Sequence, residues 1–74
     1  MYRFYVFIAF KGSILEECVG EGIEFSNESI ALFEYSTDTI LMLKSIKALK
    51  NHYKPLGKVK IEWLDLDLDE KIIN

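Results

Sequence analysis

The sequence predicts an α+β domain in which one long helix packs across one face of a small antiparallel sheet, in the order β-β-β-α-β. Up to residue 35, apolar side chains recur at alternate positions between short turns. Residues 37–54 instead carry apolar side chains three and four apart, and residues 58–63 alternate again. A chain of 74 residues holds one domain, 1–74, in which we set apart residues 65–74 as an acidic C-terminal tail with an extended conformation as one expectation.

The first predicted strand, residues 2–11, is apolar on both sides. Phe4, Val6 and Ile8 lie on one side, and Tyr5 and Phe7 on the other. Because one helix covers only one face of a sheet, Tyr5 and Phe7 are candidates for contact with a partner. The alternative is that they are ordinary exposed apolar residues, since much of any protein surface is apolar.

A second strand is predicted over residues 14–25, with a bulge or bend at residues 20–22, and a third over residues 30–35. The second has an alternative. Ser13-Ile14-Leu15-Glu16 matches a capping box, so that residues 14–19 would form a short helix ending at Gly20. We favour the strand, because so short a helix is marginal without strong packing.

The long helix is predicted over residues 37–54. Its apolar stripe contains Met42, Leu43, Ile46, Leu49 and Tyr53. Ser36, Thr37 and Asp38 offer side-chain oxygens for its first turn, and Pro55 with Gly57 ends it.

The last predicted strand, residues 58–63, turns Val59, Ile61 and Trp63 inward. After Trp63 the alternation slips by one residue, which turns the leucines at 64, 66 and 68 to the opposite face. We therefore expect the tail either to bulge or to leave the sheet and pack these leucines elsewhere. The predicted core consists of Phe4, Val6, Ile8, Leu32, Leu43, Ile46, Leu49, Ile61 and Trp63.

Chemistry-bearing residues are sparse. Cys18 and His52 are the single cysteine and histidine, and Asp65-x-Asp67-x-Asp69 lacks the glycine and the final glutamate of a calcium loop. We therefore expect no enzyme activity, no cofactor and no metal. The unpaired cysteine fits a reducing compartment, and no apolar run approaches membrane-spanning length, so we expect a cytoplasmic protein that does not bind membranes.

Charge is segregated along the chain, whose formal net charge is −3. We expect a small acidic protein-binding module, and more narrowly an inhibitor of the kind that phages and mobile elements encode. Such an inhibitor would occupy the nucleic-acid groove of a basic enzyme as a nucleic-acid mimic. The candidate partner-binding residues are Tyr5, Phe7, Glu62, Asp65, Asp67, Asp69 and Glu70.

Two alternatives remain open. The first is direct nucleic-acid binding by a lysine face of the helix, although negative net charge makes this less favoured. Its candidate residues are Lys44, Lys47, Lys50, Lys54, Lys58 and Lys60. The second is a self-assembling structural subunit, a homo-oligomer that associates through Tyr5, Phe7 and the tail leucines.

Overall fold

The computed structural model describes residues 1–65, which form a five-stranded antiparallel sheet with one short helix packed across it. The elements are β1 (Tyr2–Phe10), β2 (Glu16–Glu24), β3 (Ile30–Glu34), β4 (Thr39–Leu43), α1 (Ile46–Tyr53), a 3₁₀ turn (Lys54–Leu56) and β5 (Gly57–Trp63). The α+β class predicted from the sequence is confirmed.

The sheet has the strand order β4-β3-β2-β1-β5. The first four strands follow one another as a meander, because each is joined to the next by a short turn. The chain then crosses one face of the sheet as α1 and returns as β5 beside β1. As a result β1 is a central strand, while β4 and β5 form the two edges.

The long helix predicted over residues 37–54 is wrong, and so is the β-β-β-α-β order. Residues 39–43 form β4, which pairs with β3 through Leu32 opposite Leu41. The helix begins after Ser45, whose side-chain oxygen accepts a hydrogen bond from the Ala48 amide at 3.1 Å. Thr37 and Asp38 belong to the β3–β4 turn, where Asp38 has a φ of 55°.

The second strand forms as predicted from Glu16 onward, and the short helix proposed for residues 14–19 is absent from this part of the chain. Ile14 and Leu15 are instead exposed ahead of the strand. The register against β1 shifts between Val6 and Phe7, where Gly20 and Cys18 are the partners. This bulge therefore lies at Val19, one residue before the predicted position.

The core lies between α1 and the sheet. Its buried residues are Phe4, Val6, Ile8, Ile30, Leu32, Leu49 and Tyr53. Five of the predicted core residues are in this set, and the other four (Leu43, Ile46, Ile61 and Trp63) pack against it while partly exposed. Ile30 and Tyr53 were missing from the predicted core.

Tyr53 is buried, yet its hydroxyl group reaches the edge of the core. There it donates a 2.5 Å hydrogen bond to Glu34 Oε2, while the Thr37 hydroxyl donates to Oε1 at 2.8 Å. These two bonds hold the pKa of Glu34 below its usual value. Burial, and then the Glu34 carboxylate, raise the pKa of Tyr53, so its hydroxyl remains a donor. The bond ties the end of α1 to the end of β3.

Within residues 1–65, no helix has the length and apolar character needed to cross a bilayer.

Candidate functional site

The sheet surface opposite α1, called the open face below, carries an apolar centre. Alternation along β1 places Tyr5 and Phe7 on this surface, because Phe4, Val6 and Ile8 turn to the helix side. The register of β3 and β4 adds Phe33 and Ile40. Ile40 and Met42 are each 67% exposed, which is high for large apolar side chains in a strand. An exposed apolar area of this kind is typical of an interaction surface.

One row of residues crosses the whole open face. The strand register aligns Ile40, Phe33, Glu21, Tyr5 and Glu62, one from each strand, and we call these five the central row. Directly opposed residues on neighbouring strands have Cβ atoms roughly 4.5–5.5 Å apart. Tyr5 therefore has Glu21 as its neighbour on β2 and Glu62 as its neighbour on β5, at the side of an apolar area.

A shallow groove of about 400 Å³ runs beside the central row toward the strand ends where Arg3 and Leu64 lie. Ile23 and Ala31 line it together with Phe33, Ile40 and Leu64. Leu64 reaches the groove because its N–H continues the pairing with β1, donating to the Arg3 carbonyl at 2.9 Å. Leu64 thus follows the alternation of β5 and lies on the open face, because Trp63 before it lies on the core side.

Tyr35 supports the position of Glu21 in the central row. Its hydroxyl group donates to Glu21 Oε1 at 3.2 Å, and its ring packs edge-on against Phe33 with centroids 5.8 Å apart. Partial burial of the hydroxyl group, together with the nearby Cys18 thiol and Glu21 carboxylate, raises the pKa of Tyr35 to about 12. The hydroxyl group therefore stays protonated and continues to donate to the carboxylate at neutral pH.

An ion pair closes one end of the groove. The Arg3 side chain holds both carboxylate oxygens of Asp65, with Nη2–Oδ1 at 2.7 Å and Nε–Oδ2 at 2.9 Å, and the Arg3 backbone N–H adds a bond to Oδ2 at 2.8 Å. These bonds lower the pKa of Asp65. Because its charge is matched by Arg3, Asp65 is less available to a partner than predicted. The other predicted acids, Asp67, Asp69 and Glu70, lie outside the described residues, as do Leu66 and Leu68.

Charged groups surround the apolar centre on its β5 side. Lys60 lies over the Phe7 ring, 5.5 Å from its centroid, and forms a 3.3 Å ion pair with Glu16. Lys58 and Glu62 share the outward side of β5 with Lys60. An apolar centre within a charged rim is the usual anatomy of a protein–protein interface.

The predicted lysine face is divided by the fold. Lys44 precedes α1, while Lys47, Lys50 and Lys54 lie on α1 or at its end. Lys58 and Lys60 alternate with Val59 and Ile61, which pack on the core, and therefore extend from the opposite side of the sheet. The six lysines form two groups that meet around the β5 edge. There Lys50, Lys58 and Lys60 line one depression, and Lys50, Lys54 and Lys58 line another.

The two residues considered for catalysis are not neighbours. Cys18 is exposed on β2 opposite Phe7. His52 lies on α1, where its ring packs against Tyr53 with centroids 4.8 Å apart. A search of residues 1–65 for groups of three or more His, Cys, Asp or Glu side chains able to hold a metal ion found none.

Sequence reasoning identified Tyr5, Phe7 and Glu62 as candidates, and the structure places all three on the open face. It missed Glu21, Phe33 and Ile40. The predicted third strand already contained Phe33, but Ile40 was assigned to a helix, so the strand pairing that aligns the row was hidden. Comparisons with protein-family models, curated proteins and solved structures found no match to this chain.

Proposed function

We propose that this protein is a small, non-enzymatic protein-binding module. Its open face binds a partner that presents a basic side chain next to apolar ones. The observation that carries the proposal is the central row, in which Tyr5 lies between Glu21 and Glu62 and beside the apolar pair Phe33 and Ile40.

The chemistry of the central row suits an arginine or lysine. An aromatic ring attracts a cation to its face, and a carboxylate on either side supplies charged acceptors for its N–H groups. The aliphatic stem of such a side chain packs on apolar surface while its charged end reaches the acids. The groove beyond Phe33 then accepts the apolar residues of the partner, because Ile23, Ile40 and Leu64 line it.

The narrower hypothesis, an inhibitor that acts on a basic nucleic-acid-processing enzyme, is compatible with this chemistry. Glu62 and Glu21 supply the acidic groups on the open face, whereas Asp65 is engaged by Arg3. Direct nucleic-acid binding has less support, because the lysines needed for it are divided between two sides of the sheet and the net charge is −3.

The experiment is a selection of random displayed peptides on the immobilised full-length chain, followed by titration of the selected peptides. We expect the peptides to contain arginine or lysine next to apolar residues. The double variant Glu21→Gln, Glu62→Gln should bind them at least about tenfold more weakly, since it removes both charged acceptors while keeping side-chain size. Lys47→Gln is the matched control, because Lys47 lies on α1 and its change should leave affinity unaltered.

Rising salt should weaken binding of the wild type more than binding of the double variant. Peptides that lack basic residues, or that bind both proteins equally, would refute the proposal. Single-stranded and duplex oligonucleotides belong in the same titration. Retention of these probes, lost when Lys47, Lys50 and Lys54 are changed to Glu, would favour the nucleic-acid alternative instead.

A further inference from the structure

The two edges of the sheet differ in chemistry. β5 carries Lys58, Lys60 and Glu62, and charged side chains on an edge strand oppose pairing with another chain. β4 has the sequence TILML, without a charged residue. Within the part of the chain that the structure describes, β4 pairs only with β3. Its outer side therefore presents unpaired backbone groups beside exposed Ile40 and Met42.

The hydrogen-bond pattern shows which residues these backbone groups belong to. The Tyr35 N–H donates to the Val19 carbonyl, so the backbone N–H and C=O groups of Tyr35 point toward β2. This direction alternates along a strand, and hence the backbone groups of Leu32 and Glu34 point toward β4. The backbone groups of their partners, Leu41 and Thr39, point toward β3. The N–H and C=O groups of Ile40 and Met42 are therefore directed away from the sheet.

We propose that β4 pairs antiparallel with β4 of a second copy of this chain, about a two-fold axis at Leu41. In this register Ile40 of one copy lies opposite Met42 of the other, and the symmetry repeats the pair. The backbone groups of Ile40 and Met42 point outward, so these two symmetry-related pairs are hydrogen-bonded pairs. The two residues of each pair exchange two backbone hydrogen bonds. Leu41 meets Leu41 of the second copy as a non-hydrogen-bonded pair.

Charge complementarity at the strand ends favours a second copy and this register. An axis at Leu41 brings Asp38, in the turn just before β4 of one copy, near Lys44, which directly follows β4 of the other, at both ends of the pairing. Both residues are exposed. An axis at Ile40 would instead place Asp38 opposite Met42 and Lys44 opposite Ser36, with no opposed charges. The strand is thus self-complementary in sequence as well as in backbone, as an isologous interface requires.

The pairing would join two sheets into one with both open faces on the same side, because Ile40 and Met42 of the two copies point to that side. A partner with two binding segments would then be held by both copies at once. The inference does not depend on the proposed function, since it concerns the β4 backbone and not Glu21 or Glu62.

Sedimentation velocity across a concentration series tests the association. The contact is small by the standard of stable dimers, so we expect a dimer of micromolar affinity in the wild type. Met42→Lys places a charge on the edge and should raise the dissociation constant at least about tenfold. Ile14→Lys is the control, because Ile14 is 97% exposed and lies away from β4, and it should associate like the wild type. Thermal unfolding checks that both variants fold.

Cysteine cross-linking tests the register. In a Cys18→Ser background, Leu41→Cys puts two thiols at the two-fold axis, where the Cα atoms of a non-hydrogen-bonded pair are about 4.5 Å apart and within disulfide reach. Thr39→Cys is the matched control, since Thr39 would lie opposite Leu43 and far from its own copy. Oxidation by glutathione disulfide should link the first variant and spare the second.

Three outcomes would overturn the proposal. One is a wild type that remains monomeric at high micromolar concentration. Another is association that Met42→Lys leaves unchanged, which would place the interface elsewhere. The third is cross-linking of Thr39→Cys as fast as that of Leu41→Cys, which would show a different register.

Discussion

Phe4 is fully buried because β2 has glycine where a side chain would otherwise stand. A Cβ atom on Gly22 would lie 2.7 Å from Phe4 Cζ and 2.8 Å from the Ala31 carbonyl oxygen. Gly22 is opposite Phe4 in the register, so the ring occupies the space that the missing side chain leaves.

Gly22→Ala should lower the free energy of unfolding by about 1–3 kcal/mol, because the added methyl group overpacks the core. Urea denaturation measures this change. In a protein that already carries Phe4→Leu, the contact with the ring is gone. There Gly22→Ala should lower the free energy of unfolding by less, and only by the part that the Ala31 carbonyl causes. An alanine variant as stable as the wild type would contradict the predicted contact.

The sequence predicted the buried residues of β1 well, since Phe4, Val6 and Ile8 follow a strict alternation. It did not predict the role of Gly22, which we interpreted as part of a bulge or bend at residues 20–22. A glycine that makes room for a neighbouring ring has no local signal, because the ring comes from another strand. The bond between Tyr53 and Glu34 was hidden for the same reason.

The helix begins after Ser45. The role of this residue differs between the predicted helix and the observed one. In the structure Ser45 is the N-cap of α1, with extended backbone and its side chain bonded to the Ala48 amide. In a helix over residues 37–54 the same residue would lie in the interior, where alanine is the better helix former.

Ser45→Ala should therefore destabilise the protein, by about 1 kcal/mol, as loss of an N-cap does. Thermal or urea unfolding shows whether stability falls or rises. Ser45→Asp is the control, because aspartate also caps helices. A gain in stability on changing Ser45 to alanine would contradict the short helix.

The error in the predicted helix has a physical origin. Residues 39–43 are nearly all apolar, and so short a run fits a strand as well as a helix. Joined to Ile46, Leu49 and Tyr53, it completes a helical stripe. Two signals pointed the other way: Ser36, Thr37 and Asp38 are turn formers as well as capping residues, and Ser45 could itself begin a helix. Pairing with β3 decided the outcome.

Two carboxylates link the stability of the whole molecule to pH. Asp65 is held by Arg3 and joins the end of β5 to β1, and Glu34 accepts bonds from Tyr53 and Thr37. Both have pKa values below those of the unfolded chain. On acidification the unfolded chain takes up protons first. The stabilisation is therefore present above the ordinary carboxylate range, roughly pH 4, and is lost as pH falls through the folded pKa values.

We expect the urea midpoint to be nearly constant between roughly pH 7 and 5 and to fall below that range. Asp65→Asn should lower the midpoint at neutral pH and flatten its decline in acid. Glu17→Gln changes an exposed carboxylate on β2 and serves as the control. If Asp65→Asn left the profile unchanged, the Arg3 pair would not contribute to stability.

The sequence also showed that charge is segregated, but not where the fold would place it. Lys47 and Lys60 both belong to residues 44–60, a stretch without acids, yet they lie on opposite sides of the sheet. Glu21 and Glu62 come from two separate acidic stretches, residues 12–43 and 61–70, yet both are neighbours of Tyr5. Only the strand register shows these relations, which is why three of the five residues in the central row could not be predicted.

The position of β1 in the middle of the sheet has a consequence for how the chain folds. The first four strands can assemble from short hairpins, whereas the β1–β5 ladder joins Phe4 to Trp63, almost from one end of the described chain to the other. Closing this ladder carries a larger loop entropy than closing any other ladder of the described sheet. Until it closes, β1, which is synthesised before the other described strands, keeps an unpaired edge, so the chain is exposed to aggregation in the interval before β5 pairs with it.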